Sequence, residues 1–538
     1  MSPRYDVAIA GFGPAGATAA CTLGALGYRV LVIDRLADVY DKPRAFAMDH
    51  EVMRVFQNLG LAEAIAPHVA PFSASEHYGM DGQLIRRLSM IEPPYPLGWT
   101  PSMVFLQPPV EQALRARVRA LPTVELALGC ELLTVAQDGA RVTLELRATG
   151  GAVRTVNAQY LIGCDGASST VRRQLGIAQD DLGFDEPWLV VDVLVNEGAG
   201  NRLPATSAQF CEPARPVSYL IGTGRHRRWE IMLLPGEDPQ AMEADAKVWG
   251  LLSRWLSPDE GRLWRRASYR FHALVADRWR IGRAFLAGDS AHQQPPFLGQ
   301  GMCQGVRDIA NLCWKLDWVM AGRAGDALLD TYEAERSAHV RRLTGTIKHI
   351  GQNICERDPV KARRRDTDLL AQAGGTVKSV PRQDLIPPLE CGLLAPRAHV
   401  ANGTLFPQPR VIAGAVAGLL DDLAGSGLRL IIGPRMDVRQ LQESAALRGI
   451  GATLLRICPA GSAAPAAPDG VRCLVEVDNI VTAWFARHAA AAVLVRPDHY
   501  VYGVADTIDA LRELLGAFEN DLRADLRADL RDDLRAGT

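Results

Sequence analysis

Gly11, Gly13 and Gly16 form a GxGxxG pattern, and an acid, Asp34, follows a short distance on. Gly11 permits a tight turn, Gly13 lets the backbone approach a pyrophosphate, and Gly16 lets a helix pack on a sheet. Pro14 and Ala15 complete the turn, and Pro14 suits a first helical position, where its missing N–H costs nothing. A helix starting here would offer free N–H groups and the positive end of its dipole to phosphates. Asp34 is placed to hold ribose hydroxyls. This is dinucleotide-binding chemistry, with a merely structural glycine turn as the alternative. The pattern alone does not separate NAD from FAD.

Two further segments decide between them. Gly163-Cys-Asp165-Gly166-Ala-Ser168 runs on to Arg172, and Ala287-Gly288-Asp289-Ser-Ala-His292 runs on through Pro295, Pro296 and Gly299 to Gly301-Met302. Each follows a predicted strand. A plain NAD dehydrogenase has no use for either. An extended FAD does, because its ribityl chain and isoalloxazine must be held far from the adenosine. No second dinucleotide fold is expected, since Gly222-Thr-Gly224 lacks the third glycine and the strand–helix context. The ten cysteines form no CxxC, and no histidine sits in an HExxH pattern, so no metal is expected.

Longer runs narrow the reading: Lys42-Pro-Arg44-Ala, Asp49-His-Glu-Val-Met-Arg54, Arg228-Trp-Glu-Ile-Met-Leu-Leu-Pro-Gly236 and Pro296-Phe-Leu-Gly-Gln-Gly-Met302. With the three glycine and aspartate segments, they resemble the class A FAD-dependent aromatic hydroxylases, and within them the 3-(3-hydroxyphenyl)propionate hydroxylase family. The resemblance covers about residues 1–350. Leu405-Phe-Pro-Gln-Pro-Arg-Val411 and Arg496-Pro-Asp-His-Tyr-Val-Tyr-Gly503 extend it toward the C-terminus.

The resemblance implies an FAD-dependent monooxygenase that hydroxylates a phenolic ring with O2 and NADH or NADPH, in aromatic catabolism. It implies that Gly11 to Gly16, Asp34 and Arg35 bind the ADP half of FAD. Arg44 and Gln107 would lie along its ribose and pyrophosphate, and Asp165 would serve FAD and the nicotinamide. Gly288 and Asp289 would bind the ribityl region. Pro296 and Gly299 would lie beside the flavin, with Gly301 and Met302 at its pyrimidine edge. The expected substrate is 3-(3-hydroxyphenyl)propionate or a similar single-ring phenol. A polycyclic, polyketide or resorcinol-type phenol is the alternative, and a non-catalytic FAD-binding protein the alternative of another class. A flavin halogenase would need a WxWxIP-like signature, which none of the ten tryptophans provides.

Hydroxylation also requires a group that activates the phenol. Asp49 and His50, just past the Arg44 loop, are the catalytic candidates, with His226 and Arg225 also in reach of a predicted substrate sheet. Each is equally readable as a satisfied structural residue. His292 reads as a loop-fixing residue, and Arg172 and Arg173 as surface ion-pair partners. Arg225, Arg227 and Arg228 are available to meet a substrate carboxylate.

These residues need a particular set of elements to position them. The expected fold class is α/β: a Rossmann-like FAD-binding domain with an inserted β-rich substrate domain and a C-terminal thioredoxin-like α/β domain lacking CxxC. The expected divisions are 1–180 and 276–399 for the FAD domain and its linking helices, with a substrate-side loop near 71–105. The substrate domain would span 181–275, the thioredoxin-like domain 400–518 and a charged tail 519–538. Strands are expected at Tyr5–Ala10, Tyr28–Ile33, Val124–Leu128, Ser207–Phe210, Val217–Ile221 and Trp229–Leu234. Long helices are expected at about 301–321 and 327–351, the first with an apolar stripe of Val306, Ile309, Ala310, Cys313 and Leu316.

Composition bounds the remaining possibilities. Lys+Arg 59 against Asp+Glu 61 leaves no net basic charge, which argues against nucleic acid as a partner. Apolar runs are too short for a membrane span, and the N-terminus, with Asp6 in its would-be apolar stretch, does not read as a signal peptide. A cytoplasmic protein with reduced thiols is expected. A homodimer is left open.

Overall fold

The apolar runs Tyr5–Ala10 and Val30–Asp34 pair in parallel, with the helix Pro14–Ala25 crossing between them. Near-continuous apolar sequence is what a parallel strand covered on both faces requires. The structure is a computed structural model and describes residues 5–433, 436, 450–463 and 470–524. Parallel strands Val153–Gly163, Ala284–Leu286 and Val124–Leu128 join these two, the short strand Arg280–Ile281 lies antiparallel at one edge, and a hairpin at Cys130–Ala148 extends the sheet, making eight strands in all.

A nine-stranded sheet stands against this one. Its long central strands are Gln179–Val195 and Gly261–Ala276, flanked by His226–Met232, Val217–Ile221 and Ser207–Phe210. Ser75–Tyr78, Leu84–Ser89 and Lys378–Pro381 continue it to the far edge. Within the stretch near 71–105, where the sequence suggested a loop, Ser75–Tyr78, Leu84–Ser89 and Ser102–Phe105 are strands, and residues 90–101 between the last two are irregular. Ser75 and His77 fill the buried face of the first, so the apolar alternation that marks a strand is missing. The expected strand at Trp229–Leu234 begins earlier, at His226, because its pairing with Val217–Ile221 closes through a turn at Thr223.

The C-terminal part builds a seven-stranded mixed sheet. Arg429–Ile432, Thr453–Cys458 and Val471–Glu476 run parallel at its centre, and Ala492–Val495 and Val501–Ala505 lie antiparallel beside them. It packs on the helix Gly301–Met320, where Trp314 and Trp318 share a core with Leu430, Leu494 and Phe518. That helix is buried on nearly every face. Its polar residues are met by ion pairs, including Lys315 to Glu335 of the helix Ala327–Cys355. Arg496 reaches Glu335 in turn, and Arg54 makes a two-pronged pair with Asp421. Among the described residues, no helix is long and apolar enough to cross a membrane. Most of the charged Asp-Leu-Arg-Ala tail, from residue 525 onward, and residues 464–469 of the Ala/Pro-rich loop lie outside the described residues.

Candidate active site

The two large sheets enclose a cleft of about 730 Å3. Its floor at one end is the glycine turn. Gly11 has φ +97, and a Cβ there would stand 2.2 Å from the Cys164 carbonyl oxygen, so only glycine brings the strand ends this close. A Cβ on Gly16 would stand 2.0 Å from the Gly11 oxygen, so its absence lets the helix seat on the sheet. Gly13 has open space beside it and caps the helix Pro14–Ala25 with no side-chain hydrogen bond. The first N–H groups of that helix therefore lack a capping side chain at a point facing the cleft, as a phosphate site requires. Asp34 accepts from Phe12 N (2.7 Å) and Leu36 N (2.7 Å), which fixes its carboxylate at the cleft edge.

The same arrangement recurs at the other end. The helix Gly301–Met320 starts without a side-chain cap, and Gly301 again has open space beside it. Between the two ends, Asp289 is exposed to the cleft although the cleft lies deep in the protein. Desolvation there raises its carboxyl above the usual range, and His292 and Arg44 oppose the rise. Two uncapped helix starts, joined by a row of polar groups, fit an extended dinucleotide. These residues fit FAD.

The remaining sequence-predicted residues divide into liners and supports. Pro14, Ala15, Arg35, Arg44, Gln107, Asp165, Gly288, Pro296, Gly299 and Met302 all line the cleft. Gln107 also accepts from Arg44 N and Ala45 N, so it holds the Arg44 loop in place. Asp165 accepts from Ser169, Thr170 N and Val171 N, locking the turn after its strand. Arg172 is not a surface ion-pair partner. It is buried and donates to the Ser290 and Ala167 carbonyls, tying the two motif loops together. His292 contacts Asp308 at 2.8 Å.

Asp49 and His50 are not among the cleft's lining residues. They line a separate cavity of about 220 Å3 with Glu51, Gln300, Arg307 and Tyr500. Asp49 caps the helix His50–Asn58 through Val52 N and pairs with Arg307. Burial pushes His50 down to about 4, the neutral form, and its Nδ1 has no partner among the described residues. His226 contacts buried Asp192 at 2.7 Å, and Arg225 is exposed outside the cleft.

The end of the cleft away from the glycine turn is walled by Phe46, Phe72, Val190, Leu220, Phe271 and Phe297, and three of the polar groups in its lining are Arg228, Glu230 and Arg382. Arg228, one of the three arginines offered for a substrate carboxylate, is held by Asp192. It donates to the Pro43 and Arg44 carbonyls, so it clamps the Arg44 loop. The other two, Glu230 and Arg382, are residues that sequence reasoning missed. Glu230 is 5% exposed, and no hydrogen bond or ion pair to its carboxyl is found among the described residues. Burial pushes it up to about 7; Arg228 and Arg265 pull it down and Asp192 adds to the rise. The alternation of Arg228 and Glu230 with Trp229 and Ile231 was the available signal, since strand side chains alternate between faces. Arg382 comes from the turn Arg382–Leu385, for which the sequence offered no signal.

The geometry agrees with known proteins. The family model for the FAD binding domain matches residues 4–346, and that for the HcaD C-terminal domain matches 403–520. A probable NADH-specific resorcinol 4-hydroxylase of Rhodococcus jostii is 35% identical, over 93% of this chain and 92% of that one. A 3-(3-hydroxy-phenyl)propionate/3-hydroxycinnamic acid hydroxylase of Burkholderia vietnamiensis is 32% identical over 94% of each. The crystal structure of aklavinone-11 hydroxylase with FAD and aklavinone superposes with a TM-score of 0.78, at 24% identity, covering 97% of this chain and 99% of that one. That last likeness concerns the fold alone. The chain belongs to the FAD-dependent aromatic hydroxylases, flavoprotein monooxygenases that use a nicotinamide co-substrate.

Proposed function

We propose that this enzyme hydroxylates a single-ring phenol carrying a second polar group, using NADH, and that Glu230 engages the ring hydroxyl. The carrying observation is the ring end of the cleft: an apolar, aromatic-walled slot with one unpaired carboxyl among the described residues facing into it. The cleft of about 730 Å3 is within the range of a single drug-sized ligand. It must take the cofactor as well, so the share of it left to the substrate is limited.

In this reading FAD lies from the Gly11–Gly16 turn and Asp34, past Arg44 and Asp289, to Pro296, Gly299 and Gly301-Met302. Bound and reduced, it supplies activated oxygen. The protein's part is to position and to exclude water. The uncapped start of Gly301–Met320 favours negative charge beside it. Phe46, Phe72, Phe271 and Phe297 keep the slot dry. Glu230, when ionised, accepts the proton of the ring hydroxyl and so raises electron density at the ring carbon that receives oxygen. The groups facing Glu230 are Arg228 on its own strand, Asp192 and Val190 on Gln179–Val195, Arg265 on Gly261–Ala276 and Ser218 on Val217–Ile221. Asp49 and His50 become positioning residues for the Gln300–Arg307 end of the flavin helix.

A 3-hydroxyphenylalkanoate is the first substrate choice. A resorcinol-type ring is the second, favoured by the name of the 35% identical relative. The chain divides in this reading into an FAD domain (1–180 and 276–399), a substrate domain (181–275) joined by strands from 71–105, and a thioredoxin-like domain without CxxC (400–518). We place the enzyme in the cytoplasm and leave the homodimer to a mass measurement. Purified protein should bind FAD and, with NADH and O2, convert 3-(3-hydroxyphenyl)propionate or resorcinol to a hydroxylated product. Efficient hydroxylation of bicyclic phenols alone would refute the substrate class. Failure to take up FAD would refute the whole reading.

A further inference from the structure

Buried arginines in this protein generally meet a carboxylate. Arg54 meets Asp421, Arg228 meets Asp192, Arg307 meets Asp49 and Glu51, Arg336 meets Asp308, and Arg496 meets Glu335 and Asp498. Arg382 is 6% exposed, yet among the described residues no carboxylate lies within 4.0 Å of it. Its guanidinium lies over the Phe72 ring at 4.8 Å and donates to the Leu298 carbonyl. Five N–H donors on a planar fork are far from used up by one carbonyl. A buried charge without a partner is unfavourable, and such groups are retained where something else supplies the counter-charge.

Its position is well defined. The strand Lys378–Pro381 pairs in parallel with Leu84–Ser89 over four residues, and Arg382 follows directly. It lines the ring end of the cleft together with Phe72, Ala47, Pro296 and Gly299, and it also lines the smaller cavity. A Cβ on Gly299 would stand 3.4 Å from its Nη2, so the charge is held against the loop beside which the flavin ring is expected. Asp49 acts on it only at longer range and is itself bound to Arg307. Burial lowers Arg382 to about 10, which leaves it a cation at neutral pH.

We propose that Arg382 is a specificity-determining residue that binds an oxyanion of the substrate, either a side-chain carboxylate or the ring phenolate. The inference rests on the reading that a phenol occupies this end of the cleft. A planar guanidinium matches a carboxylate with two parallel hydrogen bonds, and a phenolate with one. In both cases the ligand completes an ion pair that the protein leaves half made.

The test is equilibrium binding to the FAD-loaded enzyme, read from the change in flavin absorbance. The probes are 3-(3-hydroxyphenyl)propionate, its neutral propionamide, and resorcinol, with wild type, Arg382→Gln and Arg382→Lys. If the anion is the carboxylate, wild type prefers the propionate over the amide by about 30-fold or more. Arg382→Gln brings that ratio close to one, and Arg382→Lys restores part of it. If the anion is the phenolate, the two ligands bind alike to wild type. Phenolate absorbance then appears at lower pH when the ring is bound than when it is free, and Arg382→Gln removes that difference. A Gln variant that keeps its FAD, its propionate-to-amide ratio and its bound-phenol ionisation overturns the proposal. If Arg382→Gln does not fold, the proposal stands or falls on Arg382→Lys, which must either weaken the propionate preference with amide binding unchanged, in the carboxylate case, or shrink the difference between bound and free phenol ionisation, in the phenolate case. Absence of any spectral response from wild type to all three probes overturns the phenol reading itself, and this inference with it.

Discussion

Replacing Glu230 with glutamine exchanges a buried, unpaired carboxyl for a neutral side chain of the same shape. The carboxyl stands at about 7 in the fold against an ordinary 4.5, chiefly through burial. The shift, 7 minus 4.5, makes the ionised form about 3 kcal/mol less favourable in the folded protein than in the unfolded chain, at roughly 1.4 kcal/mol per pKa unit. The sign follows from linkage. Below about 4.5 the group is protonated in both states and has no effect on stability. As pH rises toward 7 the unfolded chain ionises first and wild type loses stability, and above about 7 the loss is complete. Glutamine carries no such burden. The Glu230→Gln variant should therefore match wild type near pH 4.5 and exceed it by about 3 kcal/mol at pH 8.5. Urea denaturation across that range, followed by tryptophan fluorescence, measures the difference. Hydroxylation should move the other way: wild-type activity should rise with pH through about 7, and the variant should lose that limb together with most product formation. A stability difference independent of pH would show that the carboxyl is not disfavoured by its surroundings. A retained activity limb near pH 7 would show that Glu230 does not take the phenol proton.

Asp289→Ala should lose most FAD affinity or reduction while keeping its secondary structure by circular dichroism; wild-type FAD binding and turnover would show the ribityl site to be elsewhere. Glu335→Ala should destabilise the protein by about 3–5 kcal/mol, because it strands buried Arg496 and Lys315, and an unchanged thermal midpoint would refute this. Burial would raise the Glu335 carboxyl, but Arg496 and Lys315 overcome it and hold it at about 2. Its contribution is therefore present above about 4.5 and lost as pH falls toward 2, which acid titration of unfolding can follow. The segment 400–518 should show no thiol–disulfide activity in an insulin-reduction assay, since burial raises both Cys458 and Cys473 above the ordinary thiol value and disfavours the thiolate.

The dinucleotide end of this protein is legible in its sequence because its physics is local. Gly11, Gly13, Gly16 and Asp34 are spaced by one turn and one crossover, and the close approach at Gly11 admits no other residue. The loops at Asp165 and Asp289 read the same way, each following a short apolar run, Tyr160 to Gly163 and Ala284 to Leu286. The helix Gly301–Met320 was half legible. Its apolar stripe announced one buried face, but Arg307, Asp308, Asn311 and Lys315 are buried too, because partners from distant segments neutralise them. Asp49 and His50 show the limit of adjacency. They follow the Arg44 loop in sequence, yet the strand Ala47–Asp49 ends at a helix cap, and the chain passes into the other cavity. Glu230 and Arg382 needed the tertiary structure most. A charge at one position of a strand or turn says nothing about its surroundings until sheets assembled from residues 75–89, 179–276 and 378–381 bring apolar walls around it. The electrostatic character of Glu230 and Arg382 depends on desolvation, and desolvation is a property of the whole packed structure.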